Sequence, residues 1–199
     1  MIVMIDHNDS FTYNLVDYFR QTGVEVKTVN HCEVTVDRIE DLGPRAIILS
    51  PGPGNPDDAP NSIELLKKVE GEVPVLGVCL GFQIIVQTFG GSIIKAKEPM
   101  HGKVEMIKHD QCTIYRGLNQ PTLVTRYHSL IADKVKVPRE FQITSETDRG
   151  EVMSIRHHQK PIEGVQFHPE AILTSEGKKM IQNFVDHYVH LEREESAYE

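Results

Sequence analysis

The chain has 199 residues, 39% of them hydrophobic and 25% charged, with a formal net charge of −8 at pH 7. That length suffices for one well-buried α/β domain, and that composition argues against disorder. The acidic balance, with no Lys/Arg cluster, argues against a nucleic-acid or anionic-membrane surface, and the longest apolar runs are too short to span a bilayer.

The chain opens with a strand over residues 2–5 and shows neither the basic flank nor the cleavage site of a signal peptide, so a cytoplasmic location is expected. Asp9 or Ser10 can cap a helix carrying Tyr13, Leu15, Val16, Tyr18 and Phe19, which stops near Gly23. A strand is predicted over 25–29, then a short helix capped by Thr35 and running through Leu42, closed by Gly43-Pro44. A bare apolar strand follows at 46–49, then the loop Ser-Pro-Gly-Pro-Gly-Asn-Pro-Asp, a helix over 62–69, a second bare strand at 75–78 and a helix over 82–89. Continuous apolar strands interleaved with helices are what a parallel sheet covered on both faces requires. The predicted class is therefore α/β, a three-layer doubly wound, mostly parallel sheet.

Beyond residue 100 the pattern changes to short strand-like runs at 104–108, 112–115, 123–127, 141–145, 152–157 and 162–167, which add antiparallel strands. A last helix over 176–190 places Met180, Ile181, Phe184, Val185, Tyr188 and Val189 in a stripe against the sheet. The acidic end 192–199 is expected to fray. Without repeat, linker or low-complexity segment, residues 1–199 are expected to form a single domain.

Three cysteines, Cys32, Cys79 and Cys112, form no CxxC pair and are expected to be free thiols. Cys79 lies in Gly77-Val78-Cys79-Leu80-Gly81, between a predicted buried strand and a predicted helix. This is the G-x-nucleophile-x-G pattern of a sharp strand-to-helix turn. Small flanking residues relieve crowding there, and the positive end of the helix favours thiolate over thiol. Alone, the pattern fits a small buried Cys79 at a strand end equally well.

Two further features bear on that choice. His168 and Glu170 follow the strand at 162–167, two positions apart, so an extended segment points both to one side. A base and a carboxylate that orients it are what a cysteine nucleophile needs. Pro51-Gly52-Pro53-Gly54 follows the strand at 46–49; its prolines delete amide donors and no Gly-Lys-Ser/Thr follows, which argues against a phosphate loop. A rigid wall suits it better, with a glycine amide joining that of Leu80 as an oxyanion hole. A plain Pro/Gly turn is the other reading.

Together, residues 50–56 (SPGPGNP), 77–83 (GVCLGFQ), 126–130 (RYHSL) and 164–170 (GVQFHPE) resemble the class I glutamine amidotransferases over essentially the whole chain. Asp9–Asn14 (DSFTYN), 100–103 (MHGK) and 172–174 (ILT) resemble the branch serving chorismate-using synthases, the small subunits of anthranilate synthase and aminodeoxychorismate synthase. The resemblance implies a flavodoxin-like fold and a catalytic triad of Cys79, His168 and Glu170. It also implies an oxyanion hole from Gly52 and Leu80 and L-glutamine contacts from Gly52, Pro53, Gly54, Cys79, Gln83, Ser129 and Leu130. His101, Gly102 and Lys103 would face a chorismate-binding synthase subunit, in a heterodimer or heterotetramer. No cofactor or metal is expected in this chain, magnesium belonging to the partner. The Pro-Gly-Pro-Gly loop favours anthranilate synthase over aminodeoxychorismate synthase, whose loop often resembles Pro-Gly-Pro-Cys; a subunit shared by both is the further alternative.

Three positions depart from the family pattern: His7-Asn8 where Asn-Tyr is usual, Phe82 for His, and Ala171 for Ser. Adjacent His157-His158 reads as a solvated polar turn, and residues 30–33 carry ligand-type side chains without the second half of a metal site. Two readings of other classes remain: a stand-alone cysteine γ-glutamyl hydrolase or peptidase, which would not need Gln83 or residues 126–130, and a non-catalytic interaction module.

Overall fold

The computed structural model describes residues 1–190; the segment 192–199, expected to fray, lies outside the described residues. The first half alternates β1 (Ile2–Asp6), α1 (Thr12–Gln21), β2 (Val26–Asn30), α2 (Val36–Asp41), β3 (Ile47–Leu49), α3 (Pro60–Val69), β4 (Val75–Val78) and α4 (Leu80–Thr88). The second half adds β5 (Ile93–Lys95), β6 (Lys103–His109), β7 (Thr122–Arg126), β8 (Leu130–Ala132), β9 (Phe141–Thr147), β10 (Val152–His157), β11 (Ile162–Val165) and α5 (Gly177–Phe184). A wider, π-helical stretch, Val185–His190, prolongs α5.

Among the described residues nine strands form one sheet in the order β2-β1-β3-β4-β11-β10-β9-β6-β7. From β2 to β11 every pairing is parallel, and from β11 to β7 every pairing is antiparallel. A separate ribbon pairs β5 with β8. The layering follows from side-chain alternation. Ile2 and Met4 of β1 pack with Leu15, Val16 and Phe19 of α1 and with Ile181 and Phe184 of α5. Val3 and Ile5 point to the other face, among Leu65 and Leu66 of α3 and Ile84 and Ile85 of α4. Neighbouring residues of a strand face opposite ways, so with helices on both faces β1 has no solvated side to fill with polar residues.

Thr35 caps α2 as expected, its hydroxyl accepting the Arg38 N–H at 3.3 Å. Four local expectations are corrected. Phe11, not Asp9 or Ser10, occupies the N-cap of α1, because the Asp9 carboxylate accepts the Phe11 N–H at 2.7 Å one step before the helix. Tyr13 is exposed, outside the buried stripe of α1. Residues 112–115 are a single tight helical turn rather than a strand; the Tyr115 hydroxyl reaches Ser145 and Ser154 at 3.0 and 2.8 Å, drawing that segment across the sheet. His157 is buried rather than solvated, its Nδ1 accepting the Gln159 and Lys160 N–H groups at 3.0 and 2.9 Å. No helix of the described residues is long and apolar enough to cross a membrane.

Candidate functional site

The C-terminal ends of the parallel strands line up: Leu49 lies opposite both Ile5 and Gly77, and Val78 lies opposite Val165. Each strand therefore delivers the residues after it to one edge, where open α/β sheets hold ligands. β1 delivers His7, β3 the loop 50–54, β4 Cys79, and β11 the segment containing His168 and Glu170.

Cys79 stands at the N-cap of α4 with φ 53° and ψ −101°, a conformation that non-glycine residues rarely adopt. The glycines beside it are sterically required. A Cβ on Gly77 would lie 2.5 Å from the Gly81 backbone, and one on Gly81 would lie 2.1 Å from the Leu49 carbonyl oxygen. The Cys79 N–H donates to the Val165 carbonyl at 2.8 Å, tying the turn to β11. The amides at the start of α4 have no intrahelical acceptor, so this end of the helix carries free donors beside the sulfur.

β11 ends at Val165, earlier than predicted, so His168 and Glu170 do not share one side of an extended strand. A turn brings them together instead: His168 Nδ1 and Glu170 Oε1 are 2.6 Å apart, both side chains buried. The turn is clamped on three sides. The His168 N–H donates to Thr125 at 2.9 Å, the Thr174 hydroxyl donates to the His168 carbonyl at 2.7 Å, and a Cβ on Gly177 would fall 1.8 Å from the Pro169 oxygen. Burial opposes charging His168, but the neighbouring Cys79 thiolate and Glu170 carboxylate outweigh it and hold the imidazole well above its ordinary pKa. Nε2 of His168 makes no hydrogen bond among the described residues.

A cavity of about 150 Å³ opens onto Cys79. Gly52, Pro53, Gly54, Leu80, Gln83, Ser129 and Leu130 all line it, so every residue expected to contact glutamine meets at one place. A Cβ on Gly52 would lie 2.5 Å from His7 Cβ and 2.6 Å from Leu80 Cδ2, which makes the two expected oxyanion residues neighbours. Wider surface depressions of about 470 and 630 Å³ lie elsewhere, and neither contains a cysteine. Cys32 and Cys112 are exposed and apart from the cavity. Among the described residues no three His, Cys, Asp or Glu side chains gather as a metal site.

Tyr127 and His128 also line the cavity, and sequence reasoning assigned neither a role. The Tyr127 ring meets those of His168, Phe11 and His101 at 5.2, 5.1 and 5.8 Å. His101 and Lys103 are exposed, and through Tyr127 their segment is one side chain away from His168. The signal for Tyr127 was its place between Arg126 and His128 in a motif of which only Ser129 and Leu130 received a role.

The departures from the family pattern separate by position. His7 is buried behind the loop, with Nδ1 3.1 Å from the Ser50 carbonyl and Nε2 2.9 Å from the Ser62 hydroxyl. Burial, with the nearby His31, pushes its pKa down to about 4, so it is neutral at pH 7. Phe82 is fully buried on the α3/α4 face against Gly164 and does not line the cavity. Ala171 is buried in the clamped turn, its N–H on the His168 carbonyl at 3.3 Å.

The sequence pattern of the family described as glutamine amidotransferase class-I matches residues 3–188. The aminodeoxychorismate/anthranilate synthase component 2 of Bacillus subtilis is 50% identical over 188 residues, covering 94% of this chain and 97% of that one. Anthranilate synthase component 2 of Pseudomonas aeruginosa is 45% identical, covering 93% and 94%. Aminodeoxychorismate synthase component 2 of Escherichia coli is 43% identical, covering 93% and 99%. A crystal structure described as that of a GMP synthase subunit from Thermoplasma acidophilum superposes with a TM-score of 0.87 over 98% of this chain and 96% of that one. At 24% sequence identity, it attests the shared fold.

Proposed function

We propose that this chain, which belongs to the class I glutamine amidotransferases, hydrolyses L-glutamine at Cys79 and hands the ammonia to a separate chorismate-using synthase subunit. The observation that carries the reading is His168, bound through Nδ1 to Glu170 and open at Nε2 beside a thiol held at a helix N-terminus.

The chemistry follows from those positions. The Cys79 sulfur attacks the γ-amide carbon; a C–S bond forms and the carbonyl electrons move to oxygen, beside Gly52 and Leu80. Collapse breaks the C–N bond, and the proton on His168 Nε2 goes to the departing nitrogen, which leaves as ammonia. His168 then takes a proton from water as it attacks the thioester, releasing glutamate and restoring the thiolate. Glu170 holds the imidazole in one orientation throughout and stabilises its charged form. Ammonia reaching bulk water at neutral pH is mostly ammonium, a poor nucleophile, so delivery inside a complex suits the reaction.

Relatives named component 2, matched over nearly their whole length, support a synthase partner. Pro51-Gly52-Pro53-Gly54 favours anthranilate synthase; the double name of the Bacillus subtilis relative favours a chain shared with aminodeoxychorismate synthase. His101, Gly102 and Lys103 would face that partner in a heterodimer or heterotetramer within the cytoplasm, and magnesium would sit on the partner. The test is a glutaminase assay with and without candidate synthase subunits, scoring anthranilate against aminodeoxychorismate. Cys79→Ser is expected to abolish glutamine-dependent synthesis and spare ammonia-dependent synthesis. Loss of both would make Cys79 structural.

A further inference from the structure

We propose that Gln166 is a catalytic residue: its side-chain amide donates a hydrogen bond to the Cys79 sulfur, in an orientation set by hydrogen bonds that run from the Leu130 carbonyl through Gln83. The Gln166 Nε2 to Cys79 Sγ distance is 3.8 Å, and Gln166 is fully buried. An amide can present either its oxygen or its nitrogen, and only the nitrogen favours a thiolate.

The orientation follows link by link. Arg126, fully buried, sits between the Glu105 and Glu151 carboxylates, and a guanidinium can only donate. Its Nε–H therefore makes His128 Nε2 an acceptor, at 3.1 Å. A neutral imidazole accepting there carries its proton on Nδ1, which donates to the Leu130 carbonyl at 3.0 Å. Burial and the Arg126 charge push the His128 pKa down to about 3, which keeps it in that neutral form. The Leu130 carbonyl, able only to accept, also fixes the NH₂ end of Gln83, at 3.2 Å. That same NH₂ donates to Gln166 Oε1 at 3.2 Å. With its oxygen engaged, Gln166 turns its own NH₂ to the sulfur. The Leu130 carbonyl, which can only accept, sets the sense of both amides, and Arg126 sets that of the His128 ring beside them. Gln83 keeps its Oε1 without a hydrogen-bond partner among the described residues, a free acceptor for the substrate cavity it lines.

The inference rests on Cys79 being the nucleophile. Its test uses the full chain with its synthase partner and follows iodoacetamide alkylation of the Cys79 peptide by mass spectrometry, since exposed Cys32 and Cys112 also react. Gln166→Met is expected to slow alkylation at neutral pH about tenfold and to lower glutamine-dependent kcat about tenfold, with KM nearly unchanged. Gln166→Glu should be worse, because it sets a carboxylate against the thiolate. A packing role gives no reason for alkylation to slow in Gln166→Met, whose side chain keeps the length and fits a buried position. Gln166→Met alkylated at the wild-type rate overturns the proposal. Ammonia-dependent synthesis should stay at wild-type level in both variants. Wild-type glutamine hydrolysis that survives Cys79→Ser would instead sink the nucleophile reading itself.

Discussion

Gly81 meets Leu49 so closely that a Cβ on the glycine would stand 2.1 Å from the leucine carbonyl oxygen. Leu49 ends β3 and introduces the loop 50–54, while Gly81 lies in the first turn of α4, so this one contact sets the spacing between loop and nucleophile. Relief requires backbone to move, because the obstructing atom is not a side-chain tip. Gly81→Ala is expected to cost about 3 kcal/mol or more in chemical denaturation. Unchanged stability would mean that α4 does not press on β3.

His168 and Glu170 support a second expectation. Glu170→Gln removes one of the two negative charges that raise the imidazole pKa against burial. The alkaline limb of the glutaminase pH profile should move to lower pH, and kcat should fall by about a hundredfold or more. A raised folded pKa contributes stability that is full below the ordinary value of 6.5 and is lost as pH rises through the folded value. Thermal midpoints of the variant and wild type should therefore differ most below that ordinary value. A rate profile that keeps its alkaline limb would detach Glu170 from His168.

The bare apolar strands announced the parallel half, because alternation cannot appear where both faces are covered. The elbow was readable for a similar reason: Gly77 and Gly81 occupy positions where any side chain would collide. The three-residue strands β5 and β8 were not readable, being too short to show a period. Nor was the turn at His168, where Thr125, distant in sequence, acts with the nearby Thr174 and Gly177 to override the extended tendency before Pro169. Gln166 escaped notice because a glutamine between apolar neighbours gives no sign of which polar groups will meet it.

Arg126 was equally hidden, since arginine is almost never fully buried unless paired, and both its partners come from elsewhere in the chain. Arg126→Met leaves Glu105 and Glu151, side chains 24% and 15% exposed, without their shared cation. The expected cost is about 3 kcal/mol in denaturant unfolding. Adding Glu105→Gln and Glu151→Gln should restore most of it, because the loss comes from uncompensated charge rather than missing volume. A triple variant no more stable than Arg126→Met would assign the loss to packing.

Glu163 supplies the last expectation. Its side chain is fully buried on β11, and Tyr188 donates to its Oε1 at 2.6 Å. Burial is the main cause that lifts its pKa from 4.5 to about 7, helped by Asp110 and opposed by hydrogen bonds from Thr113 and Tyr188 and by the Arg156 charge. The folded chain thus holds a proton that the unfolded chain releases between pH 4.5 and about 7, so this group's contribution to stability falls as pH rises through that range. A shift of that size corresponds to about 3 kcal/mol. His7 and His128, whose pKa values are pushed down to about 4 and 3, give the opposite slope over an overlapping range, so the wild-type curve alone hides the effect. The difference between Glu163→Gln and wild type isolates it, since the amide keeps an acceptor for Tyr188 but has no titration. The two should match at about pH 4 and diverge up to about pH 8, where the variant is the more stable. A gap that stays constant across this range would mean that Glu163 titrates in the fold as it does in the unfolded chain.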